Sequence, residues 1–406
     1  MRHTLIQRAL PFSLAFAFAF PLLPGTSEAN AQEKVVKIAG VGAKSGVLRP
    51  FGVNSEAAMR AAAEEINESG GVTLGDGTKA RIVVEYFDDR CDPQEGIAVT
   101  RRIAAGEWLA SIGSTCSSVV EPVFGVLQKK AGDTADSGLQ VPIFTDVAMK
   151  IGLAGISDWS FRNIPEEIKM YDALFAWLKT AHPEAKTVYG GVEDNFVHSR
   201  QTWYDIMKER AKLAGFDVKG EAKWLLDDTN FTTQVQEIKD AGADIVMISA
   251  HPFTTCGVLK EMSRQGVKPD VLVGLTSASS PETVDTCGAE AEGLLIPTSF
   301  APINDQAKAA AEATARYKGY ADLHSMAAWE NMFMIKEAME AQGVLARPDT
   351  VAADRAKIRA GLAGMKEAKG LLGTVGRRPD GESIKPYVFV EARGGAWEVV
   401  HTPQQN

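Results

Sequence analysis

The chain has 406 residues, 52 acidic and 43 basic side chains and a formal charge of −9. Beyond an exported leader it keeps about 375 residues, too many for one typical core, so two lobes are expected. No dense Lys/Arg run offsets the acidic balance, which excludes nucleic acid as a partner.

Residues 1–31 read as a signal peptide, with Arg2 and Arg8 as the positive start, an apolar run over 10–23, and Ala29-Asn30-Ala31 as the cleavage site. The run carries Pro11 and Pro21 and falls short of the about 20 residues a membrane span needs. Cleavage after Ala31 is expected, without a lipid anchor, because no cysteine lies near that site.

Strand and helix signals then alternate. A buried-type apolar strand over 35–40 leads to a helix over 52–69, striped by Ala58, Ala62 and Ile66 and stopped by Gly70-Gly71. A strand over 81–87 leads to a helix over 93–106, with Pro93 suited to a first turn. Strands over 109–113 and 141–145 continue the series. A second series follows Asn163-Ile164-Pro165: strand 187–192, helix 196–214, strand 217–225, helix 231–241, strand 244–249, helix 254–265 and strand 270–274. The chain returns through 293–297, two helices over 305–320 and 325–342, and a hairpin of 387–391 with 397–401 around Gly394-Gly395. Such alternation predicts α/β architecture with parallel sheets.

In such sheets ligands bind beyond the carboxyl ends of the strands. Two segments end strands there, Tyr86-Phe-Asp-Asp-Arg-Cys-Asp-Pro93 and Gly113-Ser-Thr-Cys-Ser-Ser118. The second offers hydroxyls and backbone N–H groups at a helix start, which suits a carboxylate. Four cysteines in an exported chain imply disulfides with three possible connectivities. The loops of Cys91 and Cys116 adjoin on one edge, which favours that bridge and leaves Cys256 with Cys287 in the other half.

Catalytic and metal signatures are missing. Gly40-Val-Gly-Ala-Lys-Ser-Gly46 has neither phosphate-loop nor dinucleotide spacing, and neither GxSxG nor HExxH occurs. The five histidines beyond the leader show no metal-ligand spacing, and Asp88-Asp89 reads as a turn pair. With no nucleophile, base and oxyanion site assembled, the expectation is no enzyme, no metal and no cofactor.

Several segments together resemble a known family: Glu64-Glu-Ile-Asn-Glu-Ser-Gly-Gly71, Phe87-Asp-Asp-Arg-Cys-Asp-Pro93 and Ile112-Gly-Ser-Thr-Cys-Ser-Ser118, supported by Phe161-Arg-Asn-Ile-Pro165, Asp228-Thr-Asn-Phe231 and Ala241-Gly-Ala-Asp-Ile-Val246. The chain is similar, over essentially all of its length beyond the leader, to type I periplasmic solute-binding proteins of ABC importers, in the leucine/isoleucine/valine-binding group. The 25-residue spacing of Cys91 and Cys116 is also that of a disulfide in the group. The resemblance implies two doubly wound parallel-sheet lobes joined by three inter-lobe crossings. One lobe would be 34–163 with 298–385, the other 164–297 with 386–403. It further implies a periplasmic monomer that traps a small carboxylate ligand, a branched-chain or related amino acid, and docks on an inner-membrane ABC permease. A ligand-presenting sensor component is the alternative role.

Carried over residue by residue, the resemblance places Ser117 on the ligand carboxylate with Ser118 beside it. The next loop reads Asp146-Val-Ala-Met149 where the family has Ser-Ala-Thr, so Ala148 offers backbone groups and Met149 replaces a hydroxyl. Phe51 and Phe196 are the expected aromatic walls, and His251 falls where a tyrosine is common. The glutamate that commonly meets the ligand ammonium is absent from Leu275-Thr276-Ser277. Either Asp146 or Glu330 replaces it, or the ligand is an amine-free organic or aromatic acid or an amide. In the second case Arg49 could pair with a carboxylate. Thr276 and Trp329 complete the candidate lining.

Overall fold

The computed structural model describes residues 34–404, so the expected leader and its cleavage site lie outside the described residues. Sixteen strands, in chain order, are β1 Lys34–Gly42, β2 Val72–Thr73, β3 Lys79–Asp88, β4 Ala110–Ile112, β5 Ile143–Thr145, β6 Ser160–Arg162, β7 Thr187–Glu193, β8 Asp217–Trp224, β9 Ile245–Ser249, β10 Val271–Gly274, β11 Leu294–Thr298, β12 Glu367–Gly370, β13 Gly373–Arg377, β14 Ser383–Ile384, β15 Val388–Arg393 and β16 Ala396–His401. They form a six-stranded sheet in the order β2-β3-β1-β4-β5-β6, a seven-stranded sheet β16-β15-β11-β10-β9-β7-β8, and a small sheet β12-β13-β14. Apart from β2, the first sheet is parallel; β7 to β11 are parallel, and the closing hairpin β15–β16 joins antiparallel to β11. This is the expected doubly wound α/β architecture.

Local sequence explains the main elements. The helix Arg49–Glu68 starts with a proline in its first turn and buries Ala58, Ala62 and Ile66 against the first sheet and the helix Leu323–Ala341. Its run of alanines lets the two helices approach closely, and Gly70 and Gly71, at φ +99° and +71°, take the left-handed exit that a side chain would resist. Asp92 caps the helix Pro93–Ala105 through the Gln94 and Glu95 N–H groups, at 2.8 and 3.0 Å. Asp322 and Ser325 form a capping box at the start of Leu323–Ala341. The expected helix 305–320 stops at Arg316, and Lys318 follows with φ +61°.

The expected helix 196–214 is broken: Val197–Gln201 and Lys208–Leu213 flank one widened turn, Thr202–Met207, of a kind that recurs at functional sites. Helices Glu167–Ala181, Pro281–Cys287 and Val351–Gly364, and the small sheet, were not anticipated.

The chain passes between the two large sheets three times, within 163–166, 299–304 and 385–387. Bridges Cys91–Cys116 and Cys256–Cys287 are both formed, with Cα–Cα distances of 5.6 and 4.8 Å. They close loops of 25 and 31 residues, for which chain entropy gives about 3–4 kcal/mol each. Unfolding in urea with dithiothreitol should therefore show a clearly lower midpoint than unfolding without it. Coincident curves would mean the bridges contribute nothing.

Candidate functional site

A doubly wound sheet leaves a crevice where its strand order reverses. Here that point lies between β1 and β4 in the first sheet and between β7 and β9 in the second. The loops after these strands face one another around a single cavity. The first sheet contributes Leu48 and Phe51 after β1, Thr115 and Ser117 after β4, and Val147 and Met149 after β5. The second contributes Phe196 and His198 after β7, His251 after β9 and Ser277 after β10. The space between them is about 20 Å³, room for about one water-sized molecule, so the halves part or side chains swing aside for anything larger.

One wall presents hydrogen-bond donors. The Thr115 hydroxyl oxygen accepts the Ala43 N–H at 2.9 Å, and the Ser117 oxygen accepts the Lys150 N–H at 3.1 Å. Both hydroxyl hydrogens are left to donate elsewhere. The helix Ser117–Gly125 begins beside them without a side-chain cap. The Val119 and Val120 N–H groups return to the Cys116 carbonyl, while those of Ser117 and Ser118 have no partner within the helix. The Cys91–Cys116 bridge holds this helix start against the loop after β3.

The opposite wall is a pair of glutamate–histidine contacts. Glu193, the last residue of β7, accepts from His251 Nδ1 at 2.6 Å, Ser199 at 3.1 Å and Thr254 at 2.7 Å. Glu167 accepts from His198 Nε2 at 3.1 Å, Thr276 at 2.5 Å and Thr202, in the widened turn, at 3.0 Å. Burial works to raise both carboxyls, but the facing imidazoles and the hydroxyls outweigh it and hold both below the usual range. The chain of contacts continues from His198 Nδ1 to the Ser277 hydroxyl at 3.1 Å, and on to His324 Nε2 at 3.2 Å. Ser277 follows the second sheet and His324 opens a helix packed on the first, so this contact bridges the two halves. Burial pushes His324 down to about 3, leaving it neutral. Phe51 meets His251 and His324 edge-on, with centroids at 5.9 and 5.3 Å, and Phe196 meets His251 at 4.5 Å.

Of the residues expected at the site, Ser117, Met149, Phe51, Phe196 and His251 line the cavity. Ser118 stands next to it, half-buried, on the helix turned away from the space. Ala148 is buried behind the wall, its carbonyl facing Arg162, and Thr276 spends its hydroxyl on Glu167, leaving Ser277 to face the space. Trp329 packs in the core against Phe333. Arg49 is exposed and faces Glu282 across the two halves.

Neither proposed substitute for the missing glutamate reaches the cavity. Asp146 is buried with one oxygen accepting from Ser55 at 2.5 Å. Glu330 is held by Lys385 at 2.6 Å, Asn163 at 2.9 Å and the Leu371 N–H at 2.8 Å. Sequence reasoning passed over Thr115, His198, His324 and the two glutamates. The strand-end argument used for the two cysteine loops would have pointed to Glu193, which ends β7, and to His198, three residues past the Asp194-Asn195 turn. Among the described residues, no three His, Cys, Asp or Glu side chains group as metal ligands, and no helix is long and apolar enough to cross a membrane.

A profile of the family described as "Periplasmic binding protein" matches residues 35–396. A leucine-, isoleucine-, valine-, threonine- and alanine-binding protein of Pseudomonas aeruginosa is 22% identical over 294 residues, 71% of this chain and 73% of the relative. A Leu/Ile/Val-binding protein of Citrobacter freundii is 24% identical over 271 residues, 65% of this chain and 67% of the relative. Among solved structures, a branched-chain amino-acid transporter substrate-binding protein of Streptococcus pneumoniae, in complex with isoleucine, superposes with a TM-score of 0.75 at 18% identity, covering 91% of this chain and 99% of its own. An ABC-transporter solute-binding protein of R. palustris, in complex with benzoate, also reaches 0.75, at 15% identity and 91% and 96% coverage.

Proposed function

Since the chain belongs to the periplasmic binding protein family, whose members here serve ABC transporters and are not enzymes, we propose that it captures a small carboxylate ligand between two lobes for an ABC importer. The observation that carries this is the single cavity built from the strand ends of both sheets. Ligand bound there touches Thr115 and Ser117 from one side and His251 and Ser277 from the other. It therefore favours the closed arrangement over any in which the halves part. The moving units are 34–163 with 298–385, and 164–297 with 386–403. The related proteins that bind branched-chain amino acids, and the structural neighbours that hold isoleucine or benzoate, all have carboxylate ligands, which supports the same class here. Ser118, Ala148, Thr276, Trp329 and Arg49 contribute at most from behind or beside the cavity wall. Export to the periplasm, function as a monomer and delivery to an inner-membrane permease complete the reading.

The test is thermal-shift screening of the protein without residues 1–31 against amino acids and amine-free acids. A ligand at 100 times its Kd should stabilise by about 2.7 kcal/mol, a shift of a few degrees. Thr115→Val with Ser117→Ala removes two donors to a charged group, each worth about 1.5–3 kcal/mol, so affinity should fall at least hundredfold. Unchanged affinity in this double variant would sink the assignment of the carboxylate wall.

A further inference from the structure

The cavity also constrains what the ligand lacks. A bound amino acid brings an ammonium group, and an ammonium taken out of water without a counter-charge is strongly disfavoured. Each carboxylate near the cavity is already hydrogen-bonded or faces a cation inside the protein, with one oxygen each of Asp146 and Asp322 left buried without a partner. Both oxygens of Glu193 are engaged by His251, Ser199 and Thr254, and both oxygens of Glu167 by His198, Thr276 and Thr202. Asp322 caps a helix through the His324 and Ser325 N–H groups, at 2.9 and 2.8 Å. Asp146 is bonded to Ser55 and Glu282 faces Arg49. None of these five acids is on the cavity wall.

The wall itself offers donors and apolar surface. Thr115, Ser117 and the helix start supply hydrogen bonds to an anion at one end. Leu48, Phe51, Val147, Met149 and Phe196 supply an apolar middle with aromatic edges. At the other end His251 commits Nδ1 to Glu193 and makes no hydrogen bond through Nε2 among the described residues. The buried glutamate behind it fixes the ring, so Nε2 is a preset contact for a ligand hydroxyl.

We infer that the ligand of this cleft is a small acid with no free amine, its carboxylate at Thr115 and Ser117 and its apolar body, flat or branched, against Phe51 and Phe196. The inference rests on the proposed capture of a carboxylate. An amino acid and its 2-oxo analogue share size, branching and carboxylate and differ at the amine, so the pair isolates the point at issue.

The experiment is calorimetric titration of the protein without residues 1–31, freed of carried-over ligand by unfolding and refolding. The probes are leucine, 4-methyl-2-oxopentanoate, benzoate and 4-hydroxybenzoate. At least one amine-free acid should bind, with leucine at least hundredfold weaker than that acid. If an amine-free acid binds, His251→Phe should weaken 4-hydroxybenzoate more than benzoate, because one has a hydroxyl for Nε2 and the other does not. Equal losses for the two would overturn the placement of the ligand's far end. Leucine binding as tightly as any of the acids would overturn the inference and leave the capture of a carboxylate standing. No heat from any of the four would overturn both.

Discussion

Replacing Arg162 with methionine should lower stability by about 3–5 kcal/mol and abolish ligand binding, although Arg162 is not on the cavity wall. Its Nε donates to Glu382 at 2.6 Å, and both side chains are almost wholly buried. Removing the guanidinium leaves a buried carboxylate without its counter-charge, the costly way to break such a pair. The same group holds the site loop: Nη1 donates to the carbonyls of Met149 at 2.9 Å, Lys150 at 3.2 Å and Ala148 at 3.4 Å. Lys150 in turn gives its N–H to Ser117. The arginine therefore sets the wall of the cavity from behind.

It also joins two of the three crossings. Arg162 ends β6 just before the first, and Glu382 lies just before the third. The Arg162 carbonyl accepts from Arg377 at 2.8 Å and from Ser383 at 2.7 Å, and the Arg377 guanidinium lies 4.8 Å from the Phe144 ring centre. Burial holds Arg377 down to about 10, still charged at neutral pH. Arg162→Met combined with Glu382→Gln separates the two roles. The double variant removes the stranded charge and should recover much of the stability in urea, yet the loop carbonyls still lack their donor, so affinity should stay low. Recovery of binding along with stability would show that Arg162 acts only through Glu382.

The architecture was legible because periodicity and turn residues carry it. The stripe through Ala58, Ala62 and Ile66 and the stops at Gly70 and Gly71 are local signals, and the elements they predict are present within a few residues. Cys91–Cys116 followed from strand-end loops that the fold brings together, and Cys256–Cys287 from the even count. The binding wall was only half legible. Ser117 and Phe51 lie next to their strand ends, and His251 directly follows β9. Glu167 and His324 come from helices distant in sequence: Glu167 stands behind His198, and His324 meets Ser277 only once both halves are assembled. Trp329 misled because its helix starts beside the cavity while its own position on that helix faces the core. The widened turn at Thr202–Met207 left no trace in the pattern, since one extra residue in a turn shifts the stripe too little to read over so short a helix.

Asp146→Asn should stabilise the protein at pH 8 and change little at pH 4. The Asp146 carboxyl is 1% exposed, and burial, despite the hydrogen bond from Ser55 and with Asp322 and Asp89 nearby, pushes it up to about 7 from an ordinary 3.8. A carboxyl raised in the folded state binds its proton more tightly there than in the unfolded chain. Its contribution is full below about pH 4, falls as pH rises from about 4 to about 7, and is flat beyond. The loss is on the order of 4 kcal/mol by pH 8. Asparagine keeps an oxygen for Ser55 and has no proton to lose. Asp89, raised to about 6 by burial, gives the wild-type protein a further slope in the same direction that the variant retains. Urea unfolding at pH 4, 6 and 8 measures the difference, and an equal effect at all three values would show that Asp146 holds no proton in the folded state. The same titration reaches the ligand. Asp146 is buried and immediately precedes Val147 on the cavity wall, so a charge there above pH 7 would oppose the proposed carboxylate ligand. Wild-type affinity for an acid should then weaken as pH passes 7, and Asp146→Asn should flatten that part of the profile.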